Sequence, residues 1–352
     1  MTETTLHSLV MVGDIYVQRP DPATVFSHVA ERFEAADFVI GNLEGAVCDG
    51  GTPWQKGGIN VWKADARQMQ AIEAGAFDAV SVTNNHIMDF GYDGLAETLA
   101  NLDAINVRHA GAGDNLAAAH APAIIEKDGV RIALLAYTSV FVKGWEATED
   151  RPGLAVLRVR TAYEPDYRVG ELPGAPPIIR TWAVPADLAT LKADIAQASK
   201  AADLVICSFH WGISGGYEKL TEYQTEIGRF AVDCGADMVF GHHPHLFQGI
   251  EIYQGRPIFY SLGNFTFARH NPAKGQELES IVVDCDITNG KLGEISFRLA
   301  RADAELRPRF LTEPEIDPVL ETLNRRSSAF GTRFIKRGER YVALPAEAQP
   351  ST

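Results

Sequence analysis

The chain has 352 residues, 46% of them hydrophobic and 22% charged, with a formal net charge of −14. That is enough for one large domain or two of average size, with an ordinary globular composition. The negative charge argues against nucleic acid as a partner, because phosphate binding needs a dense basic surface, and no apolar run reaches the roughly 18 residues of a membrane span.

The N-terminal stretch MTETTLHSLVMVGD has neither a basic leader region nor an apolar segment of signal length, so a cytoplasmic protein without membrane contact is expected. LHSLVMVGD reads as a strand, 22–36 as a helix with Val25, Val29 and Phe33 on its apolar side, and DFVIGN as a second strand. A helix over 64–74, the strand FDAVSVTNN, a helix over 94–102 and the strand INVRHAG follow, then VRIALLAYTS, a strand apolar enough to be buried on both faces. This alternation implies a largely parallel sheet with helices on its faces. Between 141 and 184 the pattern breaks into a segment rich in Pro, Gly, Arg and aromatics, expected to be an inserted cap or lid; its aromatics argue against disorder.

Alternation resumes with a helix over 186–201, the strand DLVICSFHWG, a helix over 222–234 and the strand ADMVFGHH. The remainder reads as antiparallel hairpins, with turns at Gly255 and at Asn289–Gly290. From Arg325 to Arg340 there are six basic residues and one acidic one, read as a solvated helix face or as a contact for an anionic partner. Residues 1–310 are therefore expected to form one domain carrying the insertion 141–184, with 311–352 as a C-terminal extension. The four cysteines are scattered, and Cys207 and Cys234, in apolar segments, read as buried free thiols.

Polar residues able to bind a metal or a proton recur at strand C-terminal ends, where ligands bind in open α/β sheets. They are Asp14 after VMVG, Asn42 and Glu44 after DFVIG, Asn84, Asn85, His86 and Asp89 after AVSVT, His210 after LVICSF, and the cluster GHHPH with His242, His243 and His245. Singly, each has an ordinary reading as a turn residue, a helix cap or a hydrogen-bonded core histidine. Jointly, carboxylate, carboxamide and imidazole donors suit one or two divalent ions such as Mn, Zn or Fe, and two ions about 3.5–4 Å apart form a hydrolytic clamp. Asn264 in SLGNF orients a ligand or caps a turn, and Trp211 beside His210 is either packing or a surface for substrate.

Taken in order, GDIYVQR, GNLEG, TNNHIMDFGYDGL, HAGAGDNLAAAHAP, HWG, GHHPH and SLGNF make residues 8–270 resemble the CapA-type capsule-synthesis (poly-γ-glutamate biosynthesis) family, a branch of the calcineurin-like metallophosphoesterases. The resemblance implies a four-layer αββα sandwich with mixed sheets and a dinuclear site at the converging strand ends. By that resemblance Asp14 binds the first ion and Glu44 bridges both. Asn85, His210 and His243 go to the second ion, and His245 goes to the first. His86, with Asp89, would donate a proton or stabilise charge, while Arg19 and Lys63, at basic positions of the family, would neutralise an anionic substrate. Two departures from the wider superfamily stand out. Tyr16 occupies a position usually held by histidine, and Asn42-Leu43-Glu44 replaces a Gly-Asp-x-x-Asp bridge. His242 is expected to be packed or to sit behind the ligands, turned away from its neighbour by strand alternation. The expected function is hydrolysis of a small, anionic ester, phosphoester or amide by metal-activated water. The alternative is an accessory, non-catalytic role in capsule polymer synthesis.

Overall fold

The first strand, Leu6–Tyr16, is apolar on both sides, and its two faces belong to different cores. Leu9 and Met11 pack with Ile132, Leu134, Ile206 and Phe240 of a second sheet, whereas Val10 and Val12 pack with Phe26, Phe33, Ile72 and Leu95 beneath helices. Successive side chains of a strand point to opposite faces, so a strand between two cores shows no apolar/polar alternation. The strand Val130–Thr138 repeats the arrangement from the other sheet. Its Ile132 and Leu134 face the shared core, while Ala133 and Leu135 face Leu191, Ile195 and Ile227 of the outer helices. The layers are therefore helix, sheet, sheet, helix. The computed structural model describes residues 5–56 and 61–346.

In the larger sheet, Leu6–Tyr16, Phe38–Leu43, Ala79–Ser81 and Arg108–Ala110 run parallel, and Glu279–Thr288 continues the sheet antiparallel from the first strand. In the six-stranded sheet, Val130–Thr138, Leu204–His210, Met238–His242 and Arg256–Phe259 are parallel, with antiparallel strands at both edges. The parallel strands of both sheets present their C-terminal ends to the loops that carry the candidate residues.

Several elements differ from the sequence reading. The helix expected over 22–36 is a 3-10 turn at Pro22–Thr24 and a short helix at Ala30–Glu34, neither with a side-chain cap. Burial of Val25, Phe26 and Val29 holds the intervening chain in place of helix propensity, which β-branched residues lower. The stretch 77–85 is a strand only at Ala79–Ser81; beyond that it is loop. Within the segment 141–184, Val159–Glu164 and Ile178–Ala183 form an exposed hairpin, and Gly153–Leu154 pairs with Ala112–Gly113. The basic tail is not one helix face. Arg325 and Arg326 end the helix Ile316–Ser327, and the rest lies in the hairpin Arg333–Arg337/Arg340–Leu344, which extends the larger sheet. Arg325, Arg326, Lys336, Arg337 and Arg340 are each ion-paired to acidic side chains. All four cysteines are free thiols; Cys48, Cys207 and Cys285 are buried, whereas Cys234, expected to be buried, is half-exposed at the end of the helix Glu222–Asp233.

Candidate metal centre

Asp14 sits near the end of the first strand, in register with Asn42 on one side and Asn264 on the other. Asn42 Nδ2 donates to Asp14 Oδ1 at 2.8 Å and fixes the carboxylate. Glu44 follows one residue after the second strand. Across the gap, His210 and His242 end adjacent strands in register and point to the same side, toward Asp14. Ligand atoms of Asp14, Glu44 and His210 all lie within 4.8 Å of one another. The backbone at His243 and His245 has φ of 94° and 57°, so the chain leaves strand geometry there and GHHPH wraps into the cleft.

The remaining donors close around this group. His245 Nε2 is 3.8 Å from Glu44 Oε1, and the ring of His243 is centred 4.9 Å from that of His210. His245 Nδ1 is 3.0 Å from Asn264 Oδ1. A carboxamide oxygen only accepts, so Nδ1 carries the proton and Nε2 keeps its lone pair toward Glu44. Asn85 Oδ1 lies 2.7 Å from His210 Nε2. That spacing suits a hydrogen bond, and it also suits two ligands of one ion, which at bond lengths of ~2.1 Å sit about 3 Å apart.

Both Glu44 oxygens, Nδ1 of His210 and Nδ1 of His243 are buried without a hydrogen-bond partner. An unpaired buried carboxylate is costly, and Glu44 so placed, with donor atoms of Asp14 and His210 within reach, fits a divalent ion. Burial, with the Asp14 and Asp89 charges, pushes the Glu44 carboxyl well above its ordinary range, only partly offset by Lys56. Burial also acts on Asp14, but His242, His245 and Asn42 outweigh it and hold that carboxyl low. His242 itself lies 3.3 Å from Asp14 Oδ1, out of line for a hydrogen bond. Burial, reinforced by neighbouring histidines, depresses His210 strongly and takes His243 down to about 3, so both are neutral imidazoles with lone pairs to offer.

Beside this cluster His86 Nδ1 meets Asp89 Oδ2 at 2.7 Å, and Asp89 is ion-paired to Lys56. Lys56 is buried and also donates to the Asn85 carbonyl. Burial raises the Asp89 carboxyl to about 6, against the pull of Lys56 and the Trp62 amide. Burial, with Lys56, His245 and Arg269 nearby, holds His86 neutral. Trp62 stacks on His86, and the exposed Arg269 guanidinium lies 5.0 Å from the centre of the Trp62 ring. Lys56, Trp62 and Arg269 carry no motif spacing, since they come from irregular loops, and no pattern in the sequence points to them.

Tyr16, as expected, and three expected site positions fall outside the cluster's contacts. Tyr16 gives its hydroxyl to the Lys63 carbonyl at 2.9 Å, so the position held elsewhere by histidine supplies no donor to the site. The Lys63 ammonium is held by the carbonyls of Asp49 and Gly50. Arg19 faces Glu305 at 3.7 Å. Trp211 is fully buried, stacked on Phe209 and donating to the Tyr260 carbonyl, which makes it a core residue with no surface for substrate.

The sequence profile of bacterial capsule synthesis protein PGA_cap matches residues 8–269. The chain belongs to that family. It is 32% identical over 277 residues to the PGA biosynthesis protein CapA of Bacillus subtilis (strain 168), covering 74% of this chain and 63% of that one. It is 30% identical over 271 residues to the capsule biosynthesis protein CapA of Bacillus anthracis, covering 74% and 59%. It thus spans about three-fifths of the length of these relatives. A probable polyglutamine synthesis accessory protein of Mycobacterium tuberculosis (strain ATCC 25618 / H37Rv) is 27% identical over 274 residues, covering 75% and 66%. Among solved structures, the calcineurin-like phosphoesterase YfkN from Bacillus subtilis aligns over 93% of this chain and 94% of its own, with a TM-score of 0.40 and 12% identity. Among the described residues of this PGA_cap member, no helix is long and apolar enough to cross a membrane.

Asn264 tests the assignment of His245 as a donor. Asn264→Ala is expected to weaken divalent-metal binding about 10–100-fold, as loss of a partner that orients a ligand does. Calorimetric titration of the purified variant checks this, and an unchanged affinity would remove His245 from the ligand set.

Proposed function

We propose that this PGA_cap member is a divalent-metal-dependent hydrolase of a small, anionic ester, phosphoester or amide. Asp14, Glu44, Asn85, His210, His243 and His245 hold one or two ions, with Mn, Zn or Fe suited to the mixed carboxylate, carboxamide and imidazole set. Bound there, such ions supply a water of lowered pKa and polarise the bond to be cleaved. The observation that carries the reading is Glu44, fully buried with neither oxygen hydrogen-bonded, beside Asp14 and His210.

The chain's own residues do the rest. Asn42 and Asn264 fix the orientation of Asp14 and His245. Lys56 holds Asp89 against His86, which sets the imidazole tautomer and its position at the cleft. Arg269, exposed over Trp62, offers a cation to the substrate's negative charge; Arg19 and Lys63 are engaged elsewhere. The names of the relatives favour a second reading, an accessory role in the synthesis of a poly-glutamate-type polymer in which metals serve the fold alone. Purified protein loaded with Mn, Zn or Fe, assayed on phosphoesters, carboxylic esters and amides, separates the two. Turnover that depends on the metal and falls with His86→Ala supports the hydrolase, and a metal-filled protein inert on all three classes supports the accessory role.

A further inference from the structure

The two edges of the hairpin Val159–Glu164/Ile178–Ala183 are treated differently. On the inner edge, the amides of Thr181 and Ala183 point away from the hairpin and donate to Glu222 Oε2 at 2.9 Å and Glu226 Oε2 at 2.8 Å. This sets the parity of the ladder. Thr181 faces Thr161 and Ile179 faces Tyr163, so these are pairs without mutual backbone bonds. Thr161 and Tyr163 must then direct their own N–H and C=O groups outward on the opposite edge. Among the described residues nothing pairs with them, and the hairpin joins no larger sheet.

Exposed edges are usually guarded by Lys, Pro or a bulge. The run Val159–Glu164, VRTAYE, contains no Lys or Pro, and its register is unbroken. It is also self-complementary in one register. With a two-fold axis at Ala162, Thr161 lies opposite the second copy's Tyr163, and both of these pairs exchange backbone hydrogen bonds. Arg160 then falls opposite the second copy's Glu164, twice, and the small Ala162 meets its own copy on the axis. Moving the axis to Thr161 or to Tyr163 keeps the backbone parity but sets Arg160 or Glu164 opposite Ala162. Only the axis at Ala162 sets opposite charges together, with Glu164, already paired to Arg180 of its own hairpin at 2.9 Å, shared with the second copy's Arg160. The cross-strand neighbours Tyr163 and Ile179 are 70% and 56% exposed, and the same association covers apolar surface there.

We propose that the chain forms a two-fold dimer through the outer edge of Val159–Glu164, joining two hairpins into one four-stranded antiparallel sheet. The contact is small, so the association is expected to be reversible at micromolar concentrations. Sedimentation velocity of the full chain across that range tests it, and a monomer throughout overturns the proposal, including the case in which another protein's strand takes this edge. Thr161→Pro removes one outward donor per copy without touching the hairpin's internal bonds. It is expected to weaken dimerisation about thirtyfold. Arg160→Glu, a surface change compatible with folding, sets like charges opposite each other and is expected to weaken it about tenfold, whereas Arg160→Lys retains it. A dimer indifferent to both single changes overturns the proposal.

Discussion

Glu44→Gln is expected to move two quantities in opposite directions. The metal-free protein should become more stable, by about 1–2 kcal/mol, because the substitution removes a carboxyl whose oxygens have no partner. The same change should abolish the stabilisation that divalent metal confers. For the unaltered chain the expected gain is about 2.7 kcal/mol at a hundredfold excess over Kd. A residue retained for packing would show the reverse, a loss of stability with or without metal. Thermal unfolding of both proteins, with chelator and with added Mn or Zn, gives the four values needed.

The second large effect is expected at Lys56. Lys56→Met keeps an apolar chain of similar length but removes the ammonium that lies over the Trp145 ring, and it leaves Asp89 in a buried site without its ion-pair partner. Removing one member of a buried pair costs about 3–5 kcal/mol, and the Trp62 amide donating to Asp89 Oδ2, with the contact to His86 Nδ1, offsets only part of it. The pH dependence distinguishes this cause from lost packing. Asp89 is raised to about 6 in the folded chain against 3.8 as a free side chain. The folded state therefore binds the extra proton between these values, and its ionisation costs stability as pH rises through about 6. Without Lys56 the folded value rises further. Lys56→Met should then be close to the unaltered protein near pH 5 and clearly weaker at pH 7 and above. Urea unfolding at the two pH values measures this, and an equal loss at both would assign the effect to packing.

The strand ends were legible in the sequence because each apolar run closes on a polar residue, and parallel strands bring those ends to one side. Asp14, Glu44 and His210 meet for that reason. Alternation decides what adjacency left open. Trp211 follows His210 in the sequence, but the strand period turns it to the opposite face, into the outer core. His242, expected to be packed or to sit behind the ligands, ends its strand on the face of His210 and is fully buried beside Asp14, and the positive φ at His243 and His245 brings those rings to the site. Arg19 and Lys63 rested on the family resemblance, and in the fold they meet Glu305 and backbone carbonyls. Lys56 and Arg269 lie in loops without period, where charge position depends on packing that no local pattern encodes.

Whether Asp14, Glu44, Asn85, His210, His243 and His245 form one divalent-metal centre is tested most simply by the metal content of the purified chain. After chelation and reloading with Mn, Zn or Fe, one or two tightly held ions per chain are expected, lost on Glu44→Gln and reduced by His243→Ala. Metal content no higher than that of Glu44→Gln, or unaffected by either substitution, would contradict it.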